Sequence, residues 1–465
     1  MANIVWDIDG VLVDLEKYLL KTAPSFFEKK FNKKIVNPNS ISLREMFDCT
    51  KEQEEMFWKY NLNLLTYSLF EKTRYGIKEV MDKIHEDGDK NIICTARAKC
   101  DEDSIISKVM RQAVSIWISK NNLPIDDIYF VPYKNSAEEK LKVCRKVNAT
   151  VMIDDDVNNT TTISKEFPTI VYSSDYNENV TGENIHHVKC ADEIYLEISK
   201  IKNETRFQDF KFLTREEREA LSLEELEDYY EKYRQVMMEM PYDEKTRKSQ
   251  TEKYHKIYKP GYFIHSLVTP KTILLNPEML ENLKENYKEG KIFILGSHTS
   301  LDDIQQIQKI TDEMSFFLVK NEFSKYPIVG KFLKSVGCEY VQRDDQNSRI
   351  FARKQLEKLV FHDNNVIILP EGTRNRTNNV VGKFEIGASS IAQRTGSYIV
   401  PVAIKRYKDQ NEVYLKICEP RKVSINDDLE IVTKNLQDEM ANEIISIEEH
   451  VKNDNQPKRY FKKKF

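Results

Sequence analysis

No apolar run in this chain approaches the roughly 18–20 residues needed to cross a bilayer, so any membrane association is expected to be peripheral. A cysteine framework is also missing. The seven cysteines (Cys49, Cys94, Cys100, Cys144, Cys190, Cys338 and Cys418) are scattered without the paired spacing of a metal site. An odd count without a framework fits a reducing cytosol, and Cys94 and Cys338 fall in apolar runs as core residues. Charge of one sign is not in excess. The 71 Lys and Arg stand against 75 Asp and Glu, and a net charge of −4 provides no basic field to recruit nucleic acid. There is no internal repeat, and because the first residues run straight into a strand-like segment the chain is expected to carry no signal peptide. What is present is a 465-residue chain, 40% apolar and 31% charged, long enough for two or more domains with their own cores.

The most informative stretch is Ser297-His298-Thr299-Ser300-Leu301-Asp302-Asp303, just past an apolar run, Lys291–Leu295, that reads as a strand ending in Gly296. A His with an Asp five positions on can form a dyad, in which the carboxylate orients the imidazole and the imidazole takes a proton from a hydroxyl. The bland reading is a solvated capping pair at a helix start. Three downstream blocks argue against it. They are Gly337–Asp344, a short strand with Arg343 near its end; Ile367–Arg374, a strand followed by Pro370-Glu371-Gly372-Thr373-Arg374; and the apolar strand Tyr398–Ile404. Each sets polar groups at a strand's carboxyl end, where open α/β sheets bind ligands. Arg343 and Arg374 can fork onto a phosphate, Glu371 can bind a hydroxyl or hold an Arg, and Gly372 permits close backbone approach.

Together these blocks resemble the glycerolipid acyltransferases typified by lysophosphatidic acid acyltransferases, over roughly residues 260–425. The resemblance implies His298 as general base, Asp303 as its partner, and Arg343, Glu371, Gly372, Thr373 and Arg374 as acceptor-binding groups. Lys320 stands where that family often has a Lys. Two departures are Ser297, where Asn is usual, and Phe384-Glu385-Ile386-Gly387, where the family has Phe-Lys-Lys-Gly.

At the other end, Ile4–Asp14 runs from an apolar strand into Asp7-Ile8-Asp9-Gly10. Two carboxylates at a strand end can hold Mg²⁺ and attack a phosphoryl group, although Asp-Gly after a strand is commonly only a turn. Two partners favour the first reading. Asn91–Arg97 reads as a strand ending near Thr95, and Ala149–Asp156 as a strand ending in Asp154-Asp155-Asp156, a triplet that repels itself unless a cation sits there. Lys140 precedes it on a helical segment. This set resembles the haloacid dehalogenase superfamily of phosphohydrolases, its 5′-nucleotidase-like branch most closely, over roughly residues 1–200. The resemblance implies Asp7 as nucleophile and Asp9 as acid/base. It makes Thr95 and Lys140 phosphoryl-binding groups, with a Mg²⁺ site drawn from Asp7, Asp9, Asp155 and Asp154. It also places a helical cap at about 15–75, whose aromatics read as core in preference to a ligand lid.

Between the halves, residues 201–258 read as a helical linker, with Thr214 capping a helix start and Leu221–Met240 forming an apolar stripe that suits packing between domains. The tail Pro457–Phe465 is basic with interleaved aromatics and suits anionic lipid headgroups. The expected architecture is therefore α/β, with a Rossmann-like phosphohydrolase domain (1–200) and an α/β acyltransferase domain (259–465). The expected function is bifunctional. The acyltransferase would move a fatty acyl group from acyl-CoA or acyl carrier protein to a lysophospholipid, and the phosphatase would require Mg²⁺. The expected location is cytoplasmic, peripheral on the membrane's inner face. Two rivals are an N-terminal domain that senses a phosphometabolite without turnover, and a non-glycerolipid alcohol as acceptor.

Overall fold

A computed structural model describes residues 1–258 and 270–453, apart from 98, 101, 102, 301, 376, 378 and 408. The tail Pro457–Phe465 lies outside the described residues. The chain divides into two compact units, Met1–Asp209 with Met240–Tyr242, and Phe210–Glu239 with Asp243–Phe465.

The first unit holds a six-stranded sheet, all of it parallel: β1 (Asn3–Trp6), β2 (Lys90–Thr95), β3 (Asp127–Phe130), β4 (Val151–Asp154), β5 (Thr169–Tyr172) and β6 (Ile185–Val188), in the order β3-β2-β1-β4-β5-β6. Parallel strands covered on both faces read as unbroken apolar runs, and β1 (Asn-Ile-Val-Trp) and β4 (Val-Met-Ile-Asp) are buried accordingly. The order reverses between β1 and β4, and their diverging crossovers leave a crevice at the carboxyl ends. Five α-helices separate β1 from β2: Leu15–Phe31, Leu43–Phe47, Lys51–Lys59, Asn63–Phe70 and Ile77–Glu86. Asp14 caps the first by accepting from the Lys17 N–H, and Thr50 closes a capping box on the third. Their aromatics form a core of their own, with Phe27 stacked on Phe47 at 4.3 Å and Phe57 buried against both Phe26 and Phe27.

The second unit is a seven-stranded mixed sheet. Its strands are β7 (Lys271–Leu274), β8 (Ile292–Gly296), β9 (Ser315–Lys320), β10 (Cys338–Val341), β11 (Asn365–Ile368), β12 (Ile399–Tyr407) and β13 (Glu412–Ile417), in the order β10-β9-β11-β8-β12-β13-β7. β8 through β12 run parallel, and β13 joins β12 antiparallel. Every residue of β8 is buried, with Phe293 and Leu295 in a core shared with Ile307, Ile310, Val400 and Val402.

Most of the stretch expected as a linker is built into this second unit. Thr214 does cap a helix, Arg215–Glu219, with a full capping box to Glu217. The helix Leu223–Glu239 buries Tyr230, Tyr233, Val236 and Met237 and packs on the helices Gln346–Phe361 and Gly387–Thr395. Its polar anchor is Tyr233, whose hydroxyl donates to the fully buried Glu357, itself paired with Arg394. The buried face of this helix thus joins the second unit's own core, while Met240 falls in the first unit.

Leu295→Ala leaves a hole beneath the strand that presents His298. It is expected to destabilise the protein by about 2–5 kcal/mol, read from the urea midpoint at an unchanged slope. An unchanged midpoint would remove Leu295 from the core.

Candidate functional site

Because β8, β9, β10 and β11 are parallel, their carboxyl ends share one edge of the second sheet. The residues following those ends are His298 (after β8), Lys320 (the end of β9), Arg343 (after β10) and Glu371–Arg374 (after β11). The imidazole Nδ1 of His298 lies 3.1 Å from Asp303 Oδ2. That oxygen also accepts the backbone N–H groups of Thr299 at 2.9 Å and Ser300 at 2.8 Å. Asp303 opens the helix Asp303–Thr311, where the helix N-terminus favours a negative charge, and its side chain is completely buried. Its other oxygen takes the Arg406 guanidinium at 3.0 Å, and Arg406 also reaches Asp302 at 2.9 Å. The carboxylate is therefore fully engaged, and the imidazole has one fixed edge.

The backbone that presents His298 is held separately. Ser297 sits at φ +63°, a left-handed conformation that Asn tolerates better than Ser. Its N–H donates to Glu371 Oε1 at 2.9 Å. Burial raises the Glu371 carboxyl above the usual range, although backbone donors around it pull the other way. Asn375 N–H donates to the His298 carbonyl at 2.8 Å, so the Glu371–Asn375 loop braces the turn from two sides. Glu371 Oε1 thus holds backbone, while its Oε2 is buried without a hydrogen-bond partner among the described residues. Gly372 adopts φ +64°, and a β-carbon there would stand 3.8 Å from Arg343 Nη1, which places the β10 and β11 loops side by side. Lys320, Arg343, Thr373 and Arg374 are exposed on this rim.

In the first unit the crevice between β1 and β4 collects Asp7, Asp154 and Asp155, each offering an oxygen within 4.8 Å of the others. Lys140, on the helix Ser136–Lys146, is buried between them, 2.7 Å from Asp154 and 3.1 Å from Asp7. Asp154 is saturated by Lys140, Asn159 and the N–H groups of Asp155 and Asp156. Asp155 bonds Tyr176, and Gly10, at φ +81°, packs so tightly on it that a β-carbon would fall 1.8 Å from its Oδ2. Burial pushes Asp7 up to about 7, with Lys140 opposing and Asp154 adding to the rise. Burial, then Asp154 and Asp7, push Asp155 well above its ordinary range. Asp7 Oδ1 and Thr95 Oγ1 are buried without a hydrogen-bond partner among the described residues. Orphaned oxygens beside mutually repelling carboxylates are what a divalent cation and a phosphoryl group would satisfy, so the residues fit Mg²⁺.

Asp9 stands apart from that cluster. Both its oxygens are taken by a fork from Arg97, one contact at 3.0 Å, and by Tyr67 Oη at 2.6 Å. Burial alone would raise its pKa, but Arg97 and Tyr67 hold it below the usual carboxylate range. Arg97, Tyr67, Tyr176 and Arg406 escaped the sequence reading. Arg97 closes the strand-end run Asn91–Arg97, two residues past Thr95. Arg406 lies two residues past the strand as read, and extending the alternation of β12 to Tyr407 would have exposed it.

Residues 276–405, which contain every candidate residue of the second unit except Arg406, match the family model described as Acyltransferase. The chain is 28% identical over 130 residues to the chloroplastic 1-acyl-sn-glycerol-3-phosphate acyltransferase LPAT1 of Arabidopsis thaliana, covering 28% of this chain and 35% of that protein. It is 24% identical over 119 residues to the 1-acyl-sn-glycerol-3-phosphate acyltransferase of Helicobacter pylori, covering 26% and 50%. The chain thus spans between a third and a half of these curated relatives. Among solved structures, the 1-acyl-sn-glycerophosphate acyltransferase PlsC of Thermotoga maritima is 18% identical, covering 57% of this chain and 96% of that one, with a TM-score of 0.32. The β-phosphoglucomutase of Clostridium difficile is 15% identical, covering 44% and 99%, also at a TM-score of 0.32. At these scores the fold of each unit rests on its own strand order. The second unit contains an acyltransferase-family domain.

Mg²⁺ is expected to raise the melting temperature of the wild-type chain. Asp155→Asn should abolish that shift. A shift that survives the substitution places the ion elsewhere.

Proposed function

We propose that this chain is a bifunctional enzyme of phospholipid metabolism. Its second unit would transfer an acyl group from a thioester of coenzyme A or acyl carrier protein to the free hydroxyl of a 1-acylglycerol-3-phosphate. Its first unit would be a Mg²⁺-dependent phosphatase. The observation that carries the first activity is the His298–Asp303 pair, with its carboxylate buried and fully bonded. Asp303 anchors Nδ1, so Nε2 is the edge left for chemistry. The acceptor hydroxyl gives its proton to Nε2 as its oxygen attacks the thioester carbonyl. The tetrahedral intermediate then collapses, the C–S bond breaks, and the leaving thiolate takes the proton back from the imidazolium. Arg343, Arg374 and Lys320, exposed on the same rim, suit the acceptor phosphate. The acyltransferase-family match and the relatives' names support the acceptor class.

In the first unit Asp7 Oδ1 is the nucleophile, Thr95 and Lys140 bind the phosphoryl group, and Asp7 with Asp155 would hold the metal, Asp154 serving to fix Lys140. Bound Mg²⁺ would supply charge that offsets the crowded carboxylates and the phosphoryl oxygens. Asp9 is the acid/base of this reading, and it can take the proton of the water that hydrolyses the phosphorylated Asp7 only once Arg97 or Tyr67 releases one of its oxygens. A cytoplasmic, membrane-peripheral location belongs to the same reading. Among the described residues no helix is long and apolar enough to cross a bilayer.

His298→Ala should cut acyl transfer by roughly 10²–10⁴-fold, followed by mass spectrometry of the phospholipid product, with phosphatase turnover near wild type. Transfer within a factor of a few of wild type would remove His298 as the base. Asp7→Asn should abolish phosphate-ester hydrolysis and leave acyl transfer intact. Hydrolysis that persists would assign another nucleophile, and a wild type that hydrolyses nothing across a broad panel would favour a sensing role for this unit.

A further inference from the structure

The nine-residue helix Pro327–Ser335 joins β9 to β10. One side is anchored. Gly330 is buried against Phe323 and Ser324, its carbonyl accepts the Tyr340 hydroxyl at 2.8 Å, and Leu333 packs on the sheet core. The side at its start is apolar and open to solvent. Ile328 is 85% exposed, Tyr326 63% and Val329 44%. Single exposed apolar residues are ordinary, but three within four positions at a helix start are a patch.

Charge around the patch is inverted relative to the whole molecule. Residues 320–335 carry Lys320, Lys325, Lys331 and Lys334 against the single acid Glu322, in a chain whose net charge is −4. All four lysines are exposed. The position in the fold is equally specific. The chain leaves β9 at the edge that carries His298 and must return to the opposite edge to begin β10, so the helix starts on the His298 side.

We propose that Tyr326–Val329 is a membrane-docking tip, inserted among the headgroups of an anionic bilayer with the flanking lysines on its phosphates. An apolar cluster ringed by lysines fits that surface, because the apolar residues bury into the headgroup boundary while the ammonium groups stay hydrated beside anionic lipid. This inference rests on the acyltransferase reading only for its purpose, which is to bring the His298 edge to the lipid in which a lysophospholipid acceptor resides.

The test uses the full-length chain and sedimentation with vesicles of phosphatidylcholine, alone or with phosphatidylglycerol added. Wild type should bind the anionic vesicles, and salt should weaken the binding. Ile328→Ser combined with Val329→Ser, and separately Lys331→Glu combined with Lys334→Glu, should each weaken binding by roughly tenfold or more. Both variants should keep wild-type phosphatase turnover and wild-type acyl transfer to a short-chain acceptor presented as monomers, while losing transfer to acceptor embedded in vesicles. Wild-type vesicle binding by both variants would overturn the proposal. So would binding abolished by deletion of Pro457–Phe465 with no effect from either helix variant. A wild-type dimer, seen by light scattering, that the Ile328/Val329 variant converts to monomer without change in vesicle binding would make the patch a subunit interface. If no acceptor is acylated by any form yet the helix variants lose vesicle binding, the docking tip stands and the acyltransferase reading fails.

Discussion

A carboxylate taken out of water beside the carboxyl edge of a sheet must be met by fixed donors or cations, and both sites are built around that requirement. Burying such a charge without compensation costs several kcal/mol. Asp303 meets the requirement with two backbone N–H groups, Arg406 and His298. Asp154 meets it with Lys140, Asn159 and two backbone N–H groups. The compensating groups are also the ones to which the proposed function gives chemical roles. The imidazole is oriented because Asp303 needs a donor, and Lys140 is placed beside Asp7 because Asp154 needs a cation. Positioning and charge neutralisation are one arrangement in each unit.

Parallel sheets supply the rigid frame. In the first unit the strand order reverses between β1 and β4, and the nucleophile candidate and the acidic cluster occupy that crevice. In the second, adjacent parallel strands bring loops from distant sequence positions to one edge, so that Glu371 can brace the turn at Ser297 across 74 residues. The strained backbone at Ser297 and the crowded Gly10 both lie at these edges, where local conformational cost is offset by packing around it.

Much of this was legible in the sequence, for a physical reason. Strand-end motifs are local: apolar run, turn, then polar residues, and so Asp7, Thr95, Asp154, Asp155, His298 and the Glu371–Arg374 loop could be found before any fold was known. Groups that act through long-range packing were not. Arg97 binds Asp9 across 88 residues and Arg406 binds Asp303 across 103, and no local spacing encodes either pair. Tyr67 reaches Asp9 only because the inserted helices fold back over β1. The stripe Leu221–Met240 was visible as a buried face, but periodicity reports that a face is buried and not which core it joins. Glu371 was marked as functional by its motif, whereas its bond to the Ser297 N–H depends on the neighbouring strand.

The central claim is that Asp303 fixes the tautomer of His298 so that Nε2 is the bare nitrogen. The most direct measurement is ¹⁵N NMR of histidine-labelled protein, with the His298 signals identified among the eight histidines by their loss in His298→Ala. The neutral ring of His298 should carry its proton on Nδ1 and leave Nε2 unprotonated, and Asp303→Asn should weaken or reverse that preference. A neutral His298 with the proton on Nε2, or a mixture of tautomers indifferent to Asp303→Asn, would contradict the account.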